Sequence, residues 1–322
     1  MTAPIVLIVF AVVLALLGPV VLRRSSWPER SPWVGIFAWQ ALSISLVFAV
    51  LLAGVALAVP TISLTTNLAE FIRVCAMALR AQYSTPGGAV VSATGAVAAV
   101  TVLGRVLYCI ARELASASRN RKRQLRTLNM VAQPHPAYDA LIVEHTAAAA
   151  YCLPGRGRQI VLTTATLTVL DGDQLSAVLA HERAHLSGHH HLILAGASAL
   201  QRAFPGVAAF RHAHLALVRL VEMLADDSAA RQGDRLTVAT ALVRLGEHGI
   251  TPAMALGAGG ESALSRVRRL VAPERPLGIH RTVLATLATG ALLALPLFLA
   301  VAPASAAGTM PPCPTGTSSA TM

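Results

Sequence analysis

Four long apolar runs limit the folds open to this chain. Residues 3–22 and 34–59 carry no charged side chain, residues 89–110 carry only Arg105 near one end, and residues 282–302 again carry none. Each reaches the roughly 20 residues a helix needs to cross about 30 Å of hydrocarbon. Across the 322 residues, 55% are hydrophobic and 13% charged, and the mean hydropathy is +0.62. Soluble domains carry about 25% charged residues. The deficit therefore reads as four membrane spans.

The flanking charges set an orientation. No basic residue precedes the first run and Arg23-Arg24 follow it, which is the wrong polarity for a secretory signal peptide. Basic residues favour the cytoplasmic side. That rule puts the N-terminus outside and Arg23, Arg24 and Arg30 inside. The chain then divides into a hairpin over 1–60 (spans 3–22 and 34–59), an extracytoplasmic loop 61–88, a third span 89–110, a cytoplasmic segment 111–281, a fourth span 282–302 and an extracytoplasmic tail 303–322. The third span delivers Arg112, Arg119, Arg121, Lys122, Arg123 and Arg126 to the cytoplasm, and Arg105 is placed to snorkel. The expected location is a multi-pass plasma-membrane protein with both termini outside.

The net charge of +11 fits that layout without a nucleic acid. Most of the basic residues flank spans, where anionic headgroups lie, and no aromatic residues interleave the run Arg119–Arg126 for base stacking. Direct nucleic-acid binding is not expected. Cys75, Cys109, Cys152 and Cys313 show no C-x-x-C spacing, so a cysteine metal site is not expected. Only Cys75 and Cys313 share the outer side. Cys109 and Cys152 read as apolar fillers.

The cytoplasmic segment holds all eleven histidines. Thr146–Leu153 and Arg158–Thr164 read as two strands around Pro154-Gly155-Arg156-Gly157. Asp171 and Gln174 make a capping-box pattern before a helix carrying His181-Glu182-Arg183-Ala184-His185. This is H-E-x-x-H: two imidazoles at i and i+4 leave one helix face and can share a metal ion, while the glutamate takes a proton from the activated water. Glu182 is the expected catalytic residue. His181 and His185 are the expected zinc ligands, one Zn2+ per chain.

A hydrolytic zinc site needs a third protein ligand. A second helical stretch, about Leu215–Arg231, offers Glu222 in Glu222-Met-Leu-Ala-Asp226, with Asp226 one turn on to orient a ligand imidazole. His191 is the alternative, because HERAHLSGHHH also fits H-E-x-x-H-x-x-G-x-x-H, in which a break at Gly188 would return the chain to the metal. Against it, Leu192–Leu200 read as continued helix. An edge near Arg158–Thr164 would take a substrate strand, and His212, His214 and Arg231 are nearby oxyanion candidates.

The four spans, the HERAH helix and the E-x-x-A-D helix together resemble the BlaR/MecR-type integral-membrane zinc metallopeptidases. The stretch PGRGRQIVLTTATLTVLDGDQLSAVLAHERAHLSGHHH is similar to their shorter actinobacterial members. The resemblance implies a membrane α-helical protein with four spans and a cytoplasmic α+β gluzincin-type zinc metallopeptidase domain. It implies zinc on His181, His185 and Glu222, with Glu182 as general base and acid. It also implies proteolytic signal transduction, by cleavage of a cytosolic winged-helix repressor of the BlaI/MecI type. The penicillin-binding sensor domain of the antibiotic-sensing members is absent from the expectation: the last span is followed by residues 303–322 only, with no S-x-x-K. Ala304-Ser305-Ala306 has the form of a processing site. Two other functions fit the same residues. One is an HtpX-like protease of membrane-protein quality control, and the other is a non-catalytic receptor stapled by zinc. A homodimer remains open.

Overall fold

The computed structural model describes residues 2–59, 87–155, 159–249, 259–273 and 277–307. Most of the expected loop 61–88, with Cys75, falls outside these residues, as do Arg158 and Cys313. Four helices are long and apolar enough to cross a membrane: α1 (Thr2–Arg24), α3 (Pro32–Ala58), α4 (Gly88–Val131) and the Ile279–Ala300 part of α11 (Ile279–Ala307). The four-residue helix α2 (Trp27–Arg30) joins the first two. All four expected spans are thus helical. Helix α11 also enters the expected tail, continuing to Ala307.

The chain forms two compact units. One comprises residues 1–14, 44–104 and 290–322. Within it α3 and α4 meet at glycines. A Cβ on Gly95 would collide with Leu57 and the Gly54 carbonyl, and a Cβ on Gly54 would press on Ala99. Small residues let apolar helices approach where water cannot drive them together. Ser45 Oγ donates to the Leu292 carbonyl at 2.8 Å, which ties α3 to α11.

The second unit comprises residues 15–43 and 105–289. Helix α4 runs 44 residues without interruption, roughly 66 Å at 1.5 Å per residue, and leads into a small sheet. Its strands are β1 (Ala132–His135), β2 (Ala140–Val143), β3 (Ala150–Leu153) and β4 (Gln159–Thr163), in the order β1-β2-β4-β3. The β2/β4 pair is parallel and the other two pairs are antiparallel. The sequence reading found β3 and β4 and missed the β1–β2 hairpin. Pro134 lies in β1, and a proline is admissible there because β1 is an edge strand that need not donate on both sides.

Helices α5 (Thr164–Val169), α6 (Gly172–Ser187), α7 (His190–Ala203), α8 (Ala208–Gln232), α9 (Arg235–His248) and α10 (Gly259–Val271) follow. Side-chain alternation along β4 covers both sheet faces. Ile160 and Leu162 join Leu175, Val178 and Leu179 of α6 and Ala241 of α9. Val161 faces the other way, onto Leu128 of α4 and Leu153. A separate cluster packs Ile36 and Trp39 of α3 against Ala197 of α7 and Leu217, Leu220 and Val221 of α8. Arg105, near the end of the third apolar run, donates its Nε–H to the Ala203 carbonyl at the end of α7.

Candidate metal centre

Helix α6 starts where the sequence says it should. Asp171 Oδ1 accepts from the Gln174 N–H at 2.9 Å, and Gln174 Oε1 accepts in return from the Asp171 N–H. Arg244 of α9 donates to Gln174 Oε1 at 3.0 Å and to the Val169 carbonyl at 3.1 Å, which locks the start of the helix. Two and three turns later His181, Glu182 and His185 meet α8, which carries Glu222 and Asp226. The Nε2 atoms of His181 and His185 are 3.0 Å apart. Glu222 Oε2 is 3.6 Å from His181 Nε2, and Glu222 Oε1 is 3.5 Å from His185 Nε2.

These separations suit a tetrahedral zinc ion, whose ligand atoms at bond lengths near 2.0–2.1 Å stand about 3.3 Å apart. His181, His185 and Glu222 are the group that the structure brings within metal-binding reach among the described residues. His191 is not in it. Helix α6 does stop at Gly188, and His189 takes a left-handed φ of 50°. The residue that turns back, however, is His190. Its Nδ1 lies 2.9 Å from His185 Nδ1, whereas the ring of His191 neighbours His189. With His185 Nε2 turned to the metal position, its Nδ1–H donates to an unprotonated His190 Nδ1. Burial lowers the pKa of His190 and takes that of His185 down to about 4, so both rings are neutral at neutral pH.

His181 is held differently. Its Nδ1 lies 3.0 Å from Asp226 Oδ1. Burial pulls its pKa down, but hydrogen bonds to Asp226 and Glu222 outweigh burial and bring it to about 9. Burial pushes the two carboxyls up, and it too is overcome. Asp226, bonded to Arg266 and His181, ends at about 2, and so does Glu222, bonded to His181 beside the Arg266 charge.

Arg266 of α10 is the residue that sequence reasoning missed. Its Nε and Nη2 donate to the two Asp226 oxygens at 2.8 and 2.7 Å, and its Nη1 is 2.8 Å from Glu222 Oε2. Glu222 Oε2 is thereby engaged and Oε1 is left toward the metal position. With Glu182, Glu222 and Asp226 ionised, Arg266 charged and His181 neutral, as a metal ligand must be, the cluster carries a net −2, the complement of a divalent cation. The pattern that could have pointed to Arg266 is Asp226-Asp227 on an otherwise apolar helix, since buried carboxylates need cationic partners.

Glu182 lines a cavity of about 210 Å³ together with His181, Glu222 and Arg266 and with apolar side chains that include Val178, Val238 and Leu242. Burial raises its pKa, against the lowering effect of His181 and a hydrogen bond with the Cys152 thiol. Cys152 is therefore more than an apolar filler. Its own pKa is pushed up to about 12, first by burial and then by the Glu182 charge.

The expected oxyanion candidates are not brought to the cavity. His212 sits 3.3 Å from Arg23, the His214 ring lies near Glu113, and Arg231 lines a different cavity. The expected substrate edge at 158–164 is also corrected. Strand β4 is paired on both sides, by β2 and β3, and the outermost strand beside the cavity is β3.

Residues 115–272 match the model of Peptidase family M48. That segment, just under half of the chain, is similar to the M48 metallopeptidases, and four helices of the chain are long and apolar enough to cross a membrane. The match names M48 and not the BlaR/MecR-type transducers. No curated protein and no solved structure matches the chain.

Proposed function

We propose that this chain, similar over residues 115–272 to Peptidase family M48, is a membrane-bound zinc endopeptidase that transmits a signal by cutting a cytosolic protein. The carrying observation is the convergence of His181, His185 and Glu222 in one cluster, with His181 and Glu222 lining the same cavity as Glu182. His181 Nε2, His185 Nε2 and Glu222 Oε1 would hold the ion, and Asp226 and His190 would orient the two rings. When bound, zinc supplies Lewis acidity to a water and to the scissile carbonyl. Glu182 takes the proton of the attacking water and passes it to the leaving amine. Its raised pKa suits a group that must both accept and return a proton near neutral pH. A substrate strand would lie along β3, the outermost strand, with a side chain of moderate size against the apolar side chains of the cavity.

The core that joins Ile36 and Trp39 of the second span to α7 and α8 supports a transducer, because movement of that span would reach the helix carrying Glu222. The substrate of that reading is a winged-helix repressor of the BlaI/MecI type. The M48 match favours a second reading, an HtpX-like protease that degrades damaged membrane proteins.

Glu182→Gln is the discriminating variant. It should retain about one zinc per chain and lose peptidase activity by at least 10²-fold. New N-termini in wild-type cells but not in Glu182→Gln cells would then be mapped. One regulator cut once supports the transducer, and many membrane proteins cut support quality control. Full signalling by the variant would leave only the zinc-stapled receptor.

A further inference from the structure

A second concave site lies outside the metal centre. It is a cavity of about 640 Å³ between α2, α8, the start of α9 and the end of α10. Five arginines line it: Arg30, Arg231, Arg235, Arg268 and Arg269. Two acids accompany them, Glu29 and Asp227, so the charges do not balance, and neither acid is free. Arg269 grips Asp227 through two hydrogen bonds of 2.6 and 2.8 Å, and Arg219 takes the Glu29 carboxylate at 2.9 Å.

The pocket is braced. Arg269 Nε donates to the Glu29 carbonyl at 3.0 Å, and Arg235 donates to the Leu270 and Arg269 carbonyls at 3.1 and 2.7 Å. Those contacts fix α2 and α9 onto α10 and set the spacing of the guanidinium groups. Arg30, Arg231 and Arg268 form no ion pair among the described residues. Cations converging on a concave wall focus a positive potential. Guanidinium groups match tetrahedral oxyanions by bidentate hydrogen bonding.

The position narrows the ligand. Helix α2 is four residues long and joins two apolar helices, each long enough to cross a bilayer. With both helices crossing a bilayer, α2 and its pocket would sit where they leave the hydrocarbon, at the level of phospholipid headgroups.

We propose that this pocket binds a phosphate group, either that of an anionic phospholipid headgroup or a free phosphate. Arg30, Arg231 and Arg268 supply the ligating guanidinium groups, and Arg269 and Arg235 hold the walls. The site shares α8 and α10 with the metal centre: Asp226 and Asp227 are adjacent, and Arg266 and Arg269 stand one turn apart. Its chemistry is nevertheless separate from the zinc ligands, and the proposal does not rest on the peptidase reading.

The test uses the full chain. In zwitterionic detergent, inorganic phosphate is titrated and thermal unfolding recorded. In parallel, nanodiscs of phosphatidylcholine alone are compared with nanodiscs containing phosphatidic acid. A saturable shift with inorganic phosphate identifies free phosphate, and a shift confined to phosphatidic acid identifies the headgroup. In either case Arg231→Ala with Arg268→Ala should weaken binding at least tenfold. Arg30→Glu should do the same from the opposite wall. Lys122→Ala with Arg123→Ala, on the exposed basic part of α4, should leave it unchanged. No saturable response to either probe, or equal binding by the pocket variants, overturns the proposal.

Discussion

His181 and His185 share a helix face, yet their second nitrogens meet opposite environments. His181 faces Asp226 at 3.0 Å and His185 faces His190 at 2.9 Å. In the zinc-free protein His181 is therefore a cation well above its ordinary pKa of 6.5, reaching about 9. A raised folded-state pKa stabilises the fold fully below the unfolded value and ceases to do so as pH rises through the folded one. Chelator-treated protein should accordingly lose melting temperature between pH 6.5 and 9. Zinc-loaded protein should show a flatter profile, because the metal displaces that proton. Zinc affinity should rise with pH over the same window. A melting temperature of the stripped protein that climbs from pH 6.5 to 9 would contradict the His181–Asp226 assignment. His190 depends on Gly188, not for φ, which is −76°, but for space: a Cβ there would run into the His190 ring. Gly188→Ala should push His190 off His185 and lower zinc affinity about tenfold, with the fold kept because the ring can swing away. Competition against a zinc chelator measures it.

At the scale of elements, α10 acts as a clamp on the α6–α8 pair. Arg266 meets both Asp226 and Glu222, two carboxylates that would otherwise repel in a buried site. Arg266→Met should destabilise the zinc-free protein by roughly 3–5 kcal/mol, the cost of a buried charge left unpaired. Saturating zinc should restore part of that loss, and denaturant unfolding with and without zinc would show it. Arg266→Lys should rescue little, since an ammonium cannot fork onto two carboxylates. The same helix shows where sequence reading stops. The apolar helices, the capped α6 and the acids of α8 were legible because each has a local signature: absence of charge, Asp171 with Gln174 ahead of H-E-x-x-H, and Glu222 with Asp226 in a largely apolar stretch. Arg266 was not, because its partners lie 40 and 44 residues earlier and nothing in its own turn sets it apart from Arg268 or Arg269. His190 was hidden for another reason. The helix break at Gly188 was legible, but which of three successive histidines returns depends on the left-handed turn at His189. The β1–β2 hairpin was obscured by its brevity and by Pro134.

At the scale of the whole chain, the proposed orientation rests on α4 and α1. The first half of α4 is apolar, and its second half carries Arg112, Arg119, Arg121, Lys122, Arg123 and Arg126 before entering β1. On the proposed orientation the peptidase segment lies on the side where the basic half emerges. Arg23, at the end of α1, touches His212 of α8, so the proposal puts the end of the first span on that same side. An α1 that crosses the bilayer then leaves the N-terminus on the other side. The excess of arginine and lysine around the catalytic unit is what the proposed cytoplasmic placement of that unit rests on. An epitope tag on the N-terminus should be removed by protease added to intact spheroplasts, while residues 111–281 stay protected. Inverted vesicles should give the reverse pattern. Digestion of the peptidase segment in intact spheroplasts would move its substrates to the outer face and remove the cytosolic repressor from consideration, leaving the metal centre itself untouched.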